Sequence, residues 1–311
     1  MSKICKVKLL DGSFTSQVSR HTIKDVDGHP LWSSVYLTTE PEACVETHRD
    51  FIRAGADIIQ SSCYQANVDN LTKLGYSEQE ALDLLHKSVQ LMNSAKDKEN
   101  QSHIETAASI GPYGTVLRDG SEYSGHYVDS MTEADLIAWH RPNVEALVRA
   151  GVDYLALETI PAEKEALALV KLLREFPGQK AWLSFSCKDD THTSHGELIS
   201  SAVTSCLLAN PDQIQAIGVN CVRPSHVSTL VRCIKQSHPT VQTIVYPNKG
   251  GVWDSVHMKW LDTEDEYSIL HYVPQWLEEG VNIIGGCCEV TSYEIQQMRI
   301  MIDEFNTKKN D

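Results

Sequence analysis

The chain has 311 residues, of which 41% are hydrophobic and 22% charged, a composition that predicts a large buried core and excludes wholesale disorder. Its formal net charge is −15, and we exclude nucleic acid as a partner because an acidic surface repels phosphates. No apolar run approaches the roughly 20 residues of a membrane-spanning helix, and no signal or transit pattern is seen. We therefore expect a cytoplasmic protein without a membrane partner.

Eight short, nearly continuous apolar runs alternate along the chain with longer amphipathic stretches, as expected of strands buried on both faces of a parallel sheet. The runs are 6–10, 57–61, 105–110, 154–157, 181–186, 216–219, 243–246 and 282–284. Capping and proline signals predict helices over 41–54, from 78 onward, over 132–150, 162–175 and 274–279.

Eight successive β-then-α units predict a single (β/α)8 TIM barrel that occupies residues 1–311 as one domain. The alternative is an open doubly wound sheet, which is disfavoured because no strand is followed by a G-x-G-x-x-G or Walker segment. We expect a polar connection at 93–102, polar loops on the catalytic face at 188–197 and 249–266, and a solvated tail at 306–311.

The clearest chemical signal is a pair of cysteine segments, G-V-N-C at 218–221 and G-G-C-C at 285–288, which close the sixth and eighth runs. Catalytic groups gather at such strand ends, and two glycines permit a bent backbone that turns both neighbouring sulfurs to one point. We predict that Cys221, Cys287 and Cys288 bind Zn²⁺, since three soft thiolates select zinc. The alternative is that they are buried small hydrophobes.

Nine cysteines in a large chain with no secretion signal predict reduced thiols. Three protein ligands leave the fourth zinc position open, and a thiolate-rich zinc suits a soft ligand such as a substrate thiol. Metal binding would deprotonate that thiol, whose free pKa is about 8.5. The pattern thus indicates thiol activation for methylation.

Two other classes of protein remain open on these residues alone. A zinc- or redox-sensing binding protein would use the same cysteines without turnover. A metal-dependent hydrolase would need histidine or carboxylate ligands, and the two histidines of the polar loop, His192 and His195, are expected to be solvated.

Several further segments accompany the cysteines and together resemble the homocysteine S-methyltransferase family over nearly the whole chain. They are L-D-G at 10–12, L-W-S at 31–33, S-C-Y-Q-A at 62–66, S-I-G-P-Y-G at 109–114, D-G-S-E-Y at 119–123, L-E-T-I-P at 157–161 and Y-P-N at 246–248. The segments around Ser109 and Tyr246 look more like the S-methylmethionine-using branch than the betaine-using branch.

The resemblance implies a (β/α)8 barrel in which zinc on the three cysteines binds the sulfur of homocysteine. It implies methyl transfer from a sulfonium donor, S-methylmethionine or S-adenosylmethionine, and formation of methionine. Selenocysteine or another small thiol is the alternative acceptor. The chain lacks the C-terminal extension that betaine-using relatives employ in oligomerisation, so we expect a monomer.

The resemblance also assigns residues to the substrates. Asp11 and Glu158 match the family's carboxylates that hold the ammonium group of homocysteine. A carboxylate directly after an apolar strand is costly to bury unless it meets a cation. The alternative is that each carboxylate forms a salt bridge or a helix cap within the barrel. Tyr64 and Trp32 are expected to face a sulfonium, or else to pack in the core. Asn248 is expected to hydrogen-bond substrate, or to form a turn.

Three positions depart from the family pattern. Ser13 occupies the position after D-G where family members have Gly or Ala. Residues 17–19 are Q-V-S in a region where family members often have a glutamate. Cys63 precedes Tyr64 at a position where a small polar or aromatic residue is expected. These departures, which include Ser19, leave the donor and the geometry of the first loop open.

Overall fold

The structure is a computed structural model that describes residues 6–23, 26, 29–250, 252–254, 259–261 and 267–308. Eight parallel strands form one sheet in the order β1-β10-β7-β6-β5-β4-β3-β2. A parallel bridge between Leu10 and Ile58 joins its two ends. The strands are β1 (Lys8–Leu9), β2 (Ile58–Gln60), β3 (Glu105–Ile110), β4 (Tyr154–Ile160), β5 (Lys180–Phe185), β6 (Ile214–Asn220), β7 (Thr243–Tyr246) and β10 (Ile283–Ile284).

Helices follow the strands around the outside of this barrel. In the described part of the chain they are α1 (Phe14–Val18), α2 (Tyr36–Thr39), α3 (Pro41–Arg53), α4 (Val68–Lys73), α5 (Glu78–Glu99), α6 (Glu133–Arg149), α7 (Glu163–Leu173), α8 (Ile199–Ala209), α9 (Pro224–Ser237), α10 (Ile269–Glu278) and α11 (Ser292–Lys308). The (β/α)8 TIM barrel is thereby confirmed, and the open doubly wound sheet is wrong.

Local sequence explains where several helices begin. Ser77 and Thr132 each form a capping box with the residue at the third helical position, which satisfies two otherwise unpaired backbone donors. Pro41 opens α3 at a position that needs no amide hydrogen. The start predicted near Pro161 is wrong by two residues, because its carbonyl accepts a hydrogen bond from His195 N and continues the strand end.

Other predicted boundaries also move. The predicted connection at 93–102 is mostly helix, since α5 continues its buried face through Met92 and Ala95 to end at Asn100 in the left-handed conformation. Pro274 lies inside α10, not at its start. Within the predicted loop 249–266, β8 (Val252–Asp254) and β9 (Lys259–Leu261) form an antiparallel pair, and the rest lies mainly outside the described residues. The predicted tail is helical as far as Lys308.

The barrel interior is packed by two large aromatic side chains, Trp182 and Tyr246, together with aliphatic residues and alanines. Trp182 is fully buried and belongs to a cluster with Ala107, Ala156 and Ala216 from neighbouring strands. A second, larger core fills the space between the strands and the helices. The interior is therefore filled, so that polar side chains collect at the carboxyl ends of the strands.

None of the helices in the described residues combines the length and the apolar character needed to cross a bilayer.

Candidate functional site

Three cysteines meet at the carboxyl ends of β6 and β10. The Sγ atoms of Cys221, Cys287 and Cys288 all lie within 4.8 Å of one another. Cys221 Sγ and Cys288 Sγ are 4.0 Å apart. Cys221 and Cys287 have their sulfurs in bonding contact, with 5.6 Å between their Cα atoms. In the described part of the chain, no other group of three His, Cys, Asp or Glu side chains has this metal-binding proximity.

The backbone of the cysteine segments is fixed by neighbouring strand ends. Cys221 N donates to Tyr246 O at 3.2 Å, and Cys287 N donates to Pro247 O at 2.8 Å. Lys249 N donates to Cys288 O at 2.9 Å. The segment after β7 thus holds all three cysteines in register.

The glycines of these segments serve close packing. A Cβ on Gly218 would lie 1.8 Å from Ile244 O, one on Gly285 2.7 Å from Leu10 Cβ, and one on Gly286 2.1 Å from Val290 Cγ1. Neither Gly285 nor Gly286 has a positive φ, whereas Cys221 does, at 50°. The sulfurs meet at one point as predicted, and the glycines are needed at these positions because larger residues would clash.

The distance between the Cys221 and Cys288 sulfurs fits two ligands of a tetrahedral metal ion. Zinc–thiolate bonds of about 2.3 Å place two sulfur ligands about 3.8 Å apart, close to the 4.0 Å between Cys221 and Cys288. Burial raises the pKa of the Cys288 thiol to about 12, so this side chain is a neutral thiol unless a cation stabilises its thiolate. The donor set suits a soft divalent metal.

The expectation of reduced cysteines agrees with six described cysteines, which are free: Cys44, Cys63, Cys187, Cys206, Cys233 and Cys288. It does not agree with Cys221 and Cys287, which are paired because both strand ends direct their sulfurs to one point. Since a metal binds thiolates, this pair must be reduced before it can act as two ligands.

Asp11 and Glu158 lie buried beside the cysteines and share one partner, Gln60. Gln60 N donates to Asp11 Oδ2 at 2.7 Å, and its Nε2 donates to Glu158 Oε2 at 2.9 Å. Ser109 Oγ donates to the other Glu158 oxygen. Burial raises the pKa of both carboxyl groups, and the negative charge of Glu158 raises that of Asp11 further. Such a pair favours a bound cation.

A hydrogen-bonded clamp connects the carboxylate strand to the cysteine strand. Asn220 Oδ1 accepts from Thr159 N at 2.7 Å, and Asn220 Nδ2 donates to Thr159 Oγ1 at 2.7 Å. Thr159 has a φ of 59°, a conformation that costs a non-glycine residue free energy. The asparagine of the G-V-N-C segment therefore holds the backbone next to Glu158 in place.

The three other predicted substrate residues lie in different surroundings. Asn248 N donates to Val222 O at 3.0 Å. Tyr64 is half-buried, and its ring lies so close to Gly111 that a Cβ on that glycine would be 2.8 Å from the ring. The Tyr64 side chain also forms a hydrogen bond with Thr159. Trp32 begins a 3-10 segment that packs on α1, and its φ is 45°. The substrate roles of these residues stay predictions.

Glu122 and Tyr123 also lie near the cysteines, although the sequence predicted no site role for either residue of the D-G-S-E-Y segment. Glu122 is close enough to Cys288 and Tyr64 to raise the pKa of each. The Cys288 thiolate in turn contributes to the raised pKa of Tyr123. A polar D-G-S-E-Y segment has no apolar periodicity, so its position at the site is visible only in three dimensions.

Three buried oxygen atoms around the site have no hydrogen-bond donor among the described residues. They are Asp11 Oδ1, Glu122 Oε2 and Asn248 Oδ1. Each is an acceptor, and a buried acceptor without a donor costs about 1–3 kcal/mol. The site is therefore suited to a ligand that brings positive charge and donors.

The histidines of the polar loop make ion pairs. His195 contacts Glu197 Oε1 at 2.8 Å and Asp129 Oδ1 at 3.2 Å, and His192 contacts Asp189 Oδ1 at 3.0 Å. Both are partly exposed, so they stabilise the loop at 188–197.

The departures from the family pattern have local explanations. Ser13 is the N-cap of α1, where its side chain accepts a hydrogen bond from Ser16 N, and Ser19 is the C-cap of the same helix. Gln17 is buried, and its Nε2 donates to Asp50 at 2.6 Å. Cys63 Sγ donates to Ser109 O at 3.2 Å. These residues support the first loop and the wall behind Tyr64.

A closed parallel barrel with polar side chains and cysteines at its strand ends defines the chain as an enzyme of the (β/α)8 class. The family model described as homocysteine S-methyltransferase matches residues 8–302. The chain is 39% identical to a betaine-homocysteine S-methyltransferase of Drosophila melanogaster, covering 96% of this chain and 94% of the relative. It is 38% identical to the homocysteine S-methyltransferase YbgG of Bacillus subtilis, covering 93% and 92%.

The fold is similarly close to a solved structure. The metallated form of the homocysteine methyltransferase MmuM from Escherichia coli superposes with a TM-score of 0.83 at 32% identity, covering 95% of this chain and 96% of that one. The chain belongs to the homocysteine S-methyltransferase family, and it is a thiol methyltransferase.

Proposed function

We propose that this protein transfers a methyl group from a sulfonium donor to the thiol of homocysteine, forms methionine, and depends on zinc held by Cys221, Cys287 and Cys288. The observation that carries the proposal is the meeting of three Sγ atoms within 4.8 Å at the end of a filled barrel. Similarity to an enzyme crystallised in a metallated form supports it.

Zinc on three thiolates supplies one kind of chemistry, the deprotonation of an incoming thiol without loss of its nucleophilicity. The chain's own residues position the substrate. Asp11 and Glu158 bind the ammonium group of homocysteine, which supplies the cation and the donors that Asp11 Oδ1 lacks. Gln60 holds both carboxylates at a fixed separation. The homocysteine sulfur would then attack the donor methyl carbon in line: a new S–CH3 bond forms while the donor S–CH3 bond breaks, and its electron pair stays on the donor sulfur as a neutral thioether. Positioning therefore contributes much of the rate.

We propose S-methylmethionine or S-adenosylmethionine as the donor, with Tyr64 and Trp32 facing the sulfonium and Asn248 hydrogen-bonding substrate. The relatives do not discriminate between donors, since a betaine-named relative and a homocysteine S-methyltransferase are 39% and 38% identical. The S-methylmethionine preference rests on the segments around Ser109 and Tyr246.

We further propose that the enzyme works in the cytoplasm as a monomer, on small molecules and in methionine biosynthesis. The acidic net charge of −15 supports the expected lack of a nucleic-acid partner. Selenocysteine is the alternative acceptor, because a selenol is also a soft ligand for the same metal.

The proposed function is tested by a donor competition. Reduced, zinc-supplied protein is incubated with homocysteine and equal concentrations of S-methylmethionine, S-adenosylmethionine and betaine, each carrying a labelled methyl group. Labelled methionine from a sulfonium is expected. Bound zinc without methionine from any donor would support the sensing alternative and overturn the proposal.

Changing Cys288→Ser tests the metal ligands. Replacement of a thiolate by a neutral hydroxyl is expected to lower bound zinc from about one ion per chain to well below half, and to abolish methyl transfer. Metal content after dialysis is the measurement. The matched control is Cys233→Ser, which changes a half-buried cysteine on α9 and should retain both zinc and methyl transfer. If Cys288→Ser also retains zinc, Cys288 is not a metal ligand.

A further inference from the structure

Glu122 is a half-buried residue near the site, and the proposed roles of the metal and of homocysteine do not use its carboxylate. Its Oε2 atom has no partner among the described residues. Electrostatic interactions connect it with Cys288, Tyr64 and Tyr123. The carboxylate thus lies near one of the three cysteines and near two tyrosine side chains.

The position of Glu122 is fixed by its backbone. Ser186 Oγ, at the end of β5, donates to Glu122 O at 2.9 Å. Gly114 passes so closely that a Cβ there would lie 2.6 Å from Glu122 N. Gly120, with a φ of 79°, provides the turn that leads into the segment. These contacts fix the backbone of Glu122 relative to β5 and to the segment after β3.

A buried carboxylate oxygen without a donor is matched by a ligand of positive charge. Burial raises the pKa of Glu122, and the nearby Asp119 contributes to this rise, so a bound cation would favour its ionised form. An onium centre flanked by aromatic faces also gains cation–π attraction. Tyr64 and Tyr123, which both interact electrostatically with Glu122, are the aromatic side chains available for such a contact, and Tyr123 is 42% exposed.

We propose that Glu122, together with Tyr64 and Tyr123, forms the methyl-donor subsite, binds the sulfonium charge, and favours S-methylmethionine over betaine. This inference rests on the proposed function. The inference assigns Glu122 as a residue that determines donor specificity. The class of ligand that Glu122 recognises is an onium donor with no anionic group close to the onium centre.

The selectivity follows from where each donor carries its negative charge. In betaine the carboxylate is one methylene group away from the cationic nitrogen, so binding the cation brings two carboxylates together. In S-methylmethionine the carboxylate is three carbons away from sulfur and is adjacent to an ammonium group. Glu122 therefore repels betaine more strongly, and like charges in a poorly solvated site are costly.

The same geometry predicts which kinetic constant changes. During transfer the methyl group leaves as a neutral thioether forms, so the sulfonium charge that Glu122 binds disappears. An interaction that is stronger in the bound donor than in the transition state lowers KM and does not raise kcat. Loss of the Glu122 charge should therefore act on donor binding.

The test compares Glu122→Gln, which keeps the shape and removes the charge, with wild type. Equilibrium dialysis of S-methylmethionine against zinc-loaded protein without homocysteine measures binding in the absence of turnover. We expect the Kd, and the donor KM in the complete reaction, to rise roughly 30-fold or more, as for a desolvated charge that loses its partner. The kcat should change less than about threefold, and the preference for S-methylmethionine over betaine should narrow.

Two variants control this experiment. Asp119→Asn removes a neighbouring exposed charge while its amide oxygen can still accept from Ser121 N, and it should leave the donor Kd within about twofold. Glu122→Asp retains the charge and should recover part of the affinity. An unchanged donor Kd in Glu122→Gln, or an equal effect of Asp119→Asn, overturns the inference.

The two proposals fail in different ways. Wild-type protein that transfers methyl groups from S-methylmethionine to homocysteine, with no effect of Glu122→Gln, contradicts only the role of Glu122. Wild-type protein that transfers from none of the three donors contradicts the proposed function itself, whatever the variant does.

Discussion

Asp11 differs from Glu158 in one detail that determines how each should respond to mutation. Both oxygens of Glu158 accept hydrogen bonds, from Gln60 and Ser109. Only one oxygen of Asp11 does so, and its other oxygen is buried without a donor among the described residues. Asp11 is therefore the carboxylate best placed to receive a hydrogen bond from the ammonium group of homocysteine.

Changing Asp11→Asn should raise the KM for homocysteine by roughly 30-fold or more, because a buried charge pair loses one partner. The amide oxygen still accepts from Gln60 N, so the fold is retained. Initial rates with saturating donor give this constant. The KM for the donor serves as the internal control and should stay within about threefold; an unchanged homocysteine KM would contradict the assignment.

The residues that are predictable from sequence are those whose chemistry is local. Adjacent cysteines after an apolar run, and carboxylates such as Glu158 in apolar surroundings, already indicate a site. Gln60, Asn220 and Glu122 were not predicted, because each acts through a partner far away in sequence. Glu122, for example, is positioned by Ser186, 64 residues further along the chain.

At the scale of elements, the segment that carries Glu122 is tied to the outer helices by a buried carboxylate, Glu165. Tyr113 N donates to Glu165 Oε1 at 2.7 Å, the Tyr127 hydroxyl donates to Oε2, and His140 Nε2 lies 2.8 Å from Oε1. Tyr113 and Tyr127 lie before and after the segment, so α7 holds both of its ends.

Changing Tyr127→Phe should loosen this segment. Loss of one hydrogen bond to a buried carboxylate is expected to lower the free energy of unfolding by about 1–3 kcal/mol and to raise the donor KM several-fold. The homocysteine KM should remain unchanged, because Asp11 and Glu158 lie on other strands. Denaturant unfolding and steady-state kinetics are the measurements.

Tyr293→Phe, at an exposed position on α11, is the matched control for the same chemical change. Its stability and both KM values should equal those of wild type. A rise of both KM values in Tyr127→Phe would instead indicate a general loss of structure and would contradict a local role.

The strands and helices were predictable in type and order, and less so at their ends. Runs 105–110 and 243–246 coincide with β3 and β7, since continuous apolar residues define a strand buried on both faces. The end of α5 was missed because its last turns expose mainly charged residues, while Met92 and Ala95 still face the core. Tertiary contacts decide such ends.

For the molecule as a whole, one buried histidine makes stability depend on pH. His48 is fully buried in α3, and neither ring nitrogen has a partner among the described residues. Burial lowers the pKa of His48 from 6.5 to about 3. Because the unfolded chain binds this proton more readily, stability is complete above pH 6.5 and falls as the pH decreases toward 3.

Changing His48→Leu should therefore flatten the pH dependence of unfolding. One pKa unit corresponds to about 1.4 kcal/mol, so the wild type should lose about 2 kcal/mol from this group between pH 6.5 and 5. The variant should lose about 2 kcal/mol less over that interval, whatever its stability at pH 7. Guanidinium titrations at both pH values measure it, with His126→Gln as an exposed control; equal slopes for all three proteins would refute the prediction.

Barrel closure has a consequence for biosynthesis. β1 pairs directly with β10, and Gly286 N donates to Asp11 O at 3.1 Å, so the first and last strands of the barrel meet at the site. While the chain is being translated, Asp11, Glu158 and Cys221 leave the ribosome long before Cys287 and Cys288 do. A nascent chain therefore exposes an incomplete set of the proposed ligands until this last strand has been synthesised, and the proposed metal could bind all three cysteines only after translation has passed Cys288.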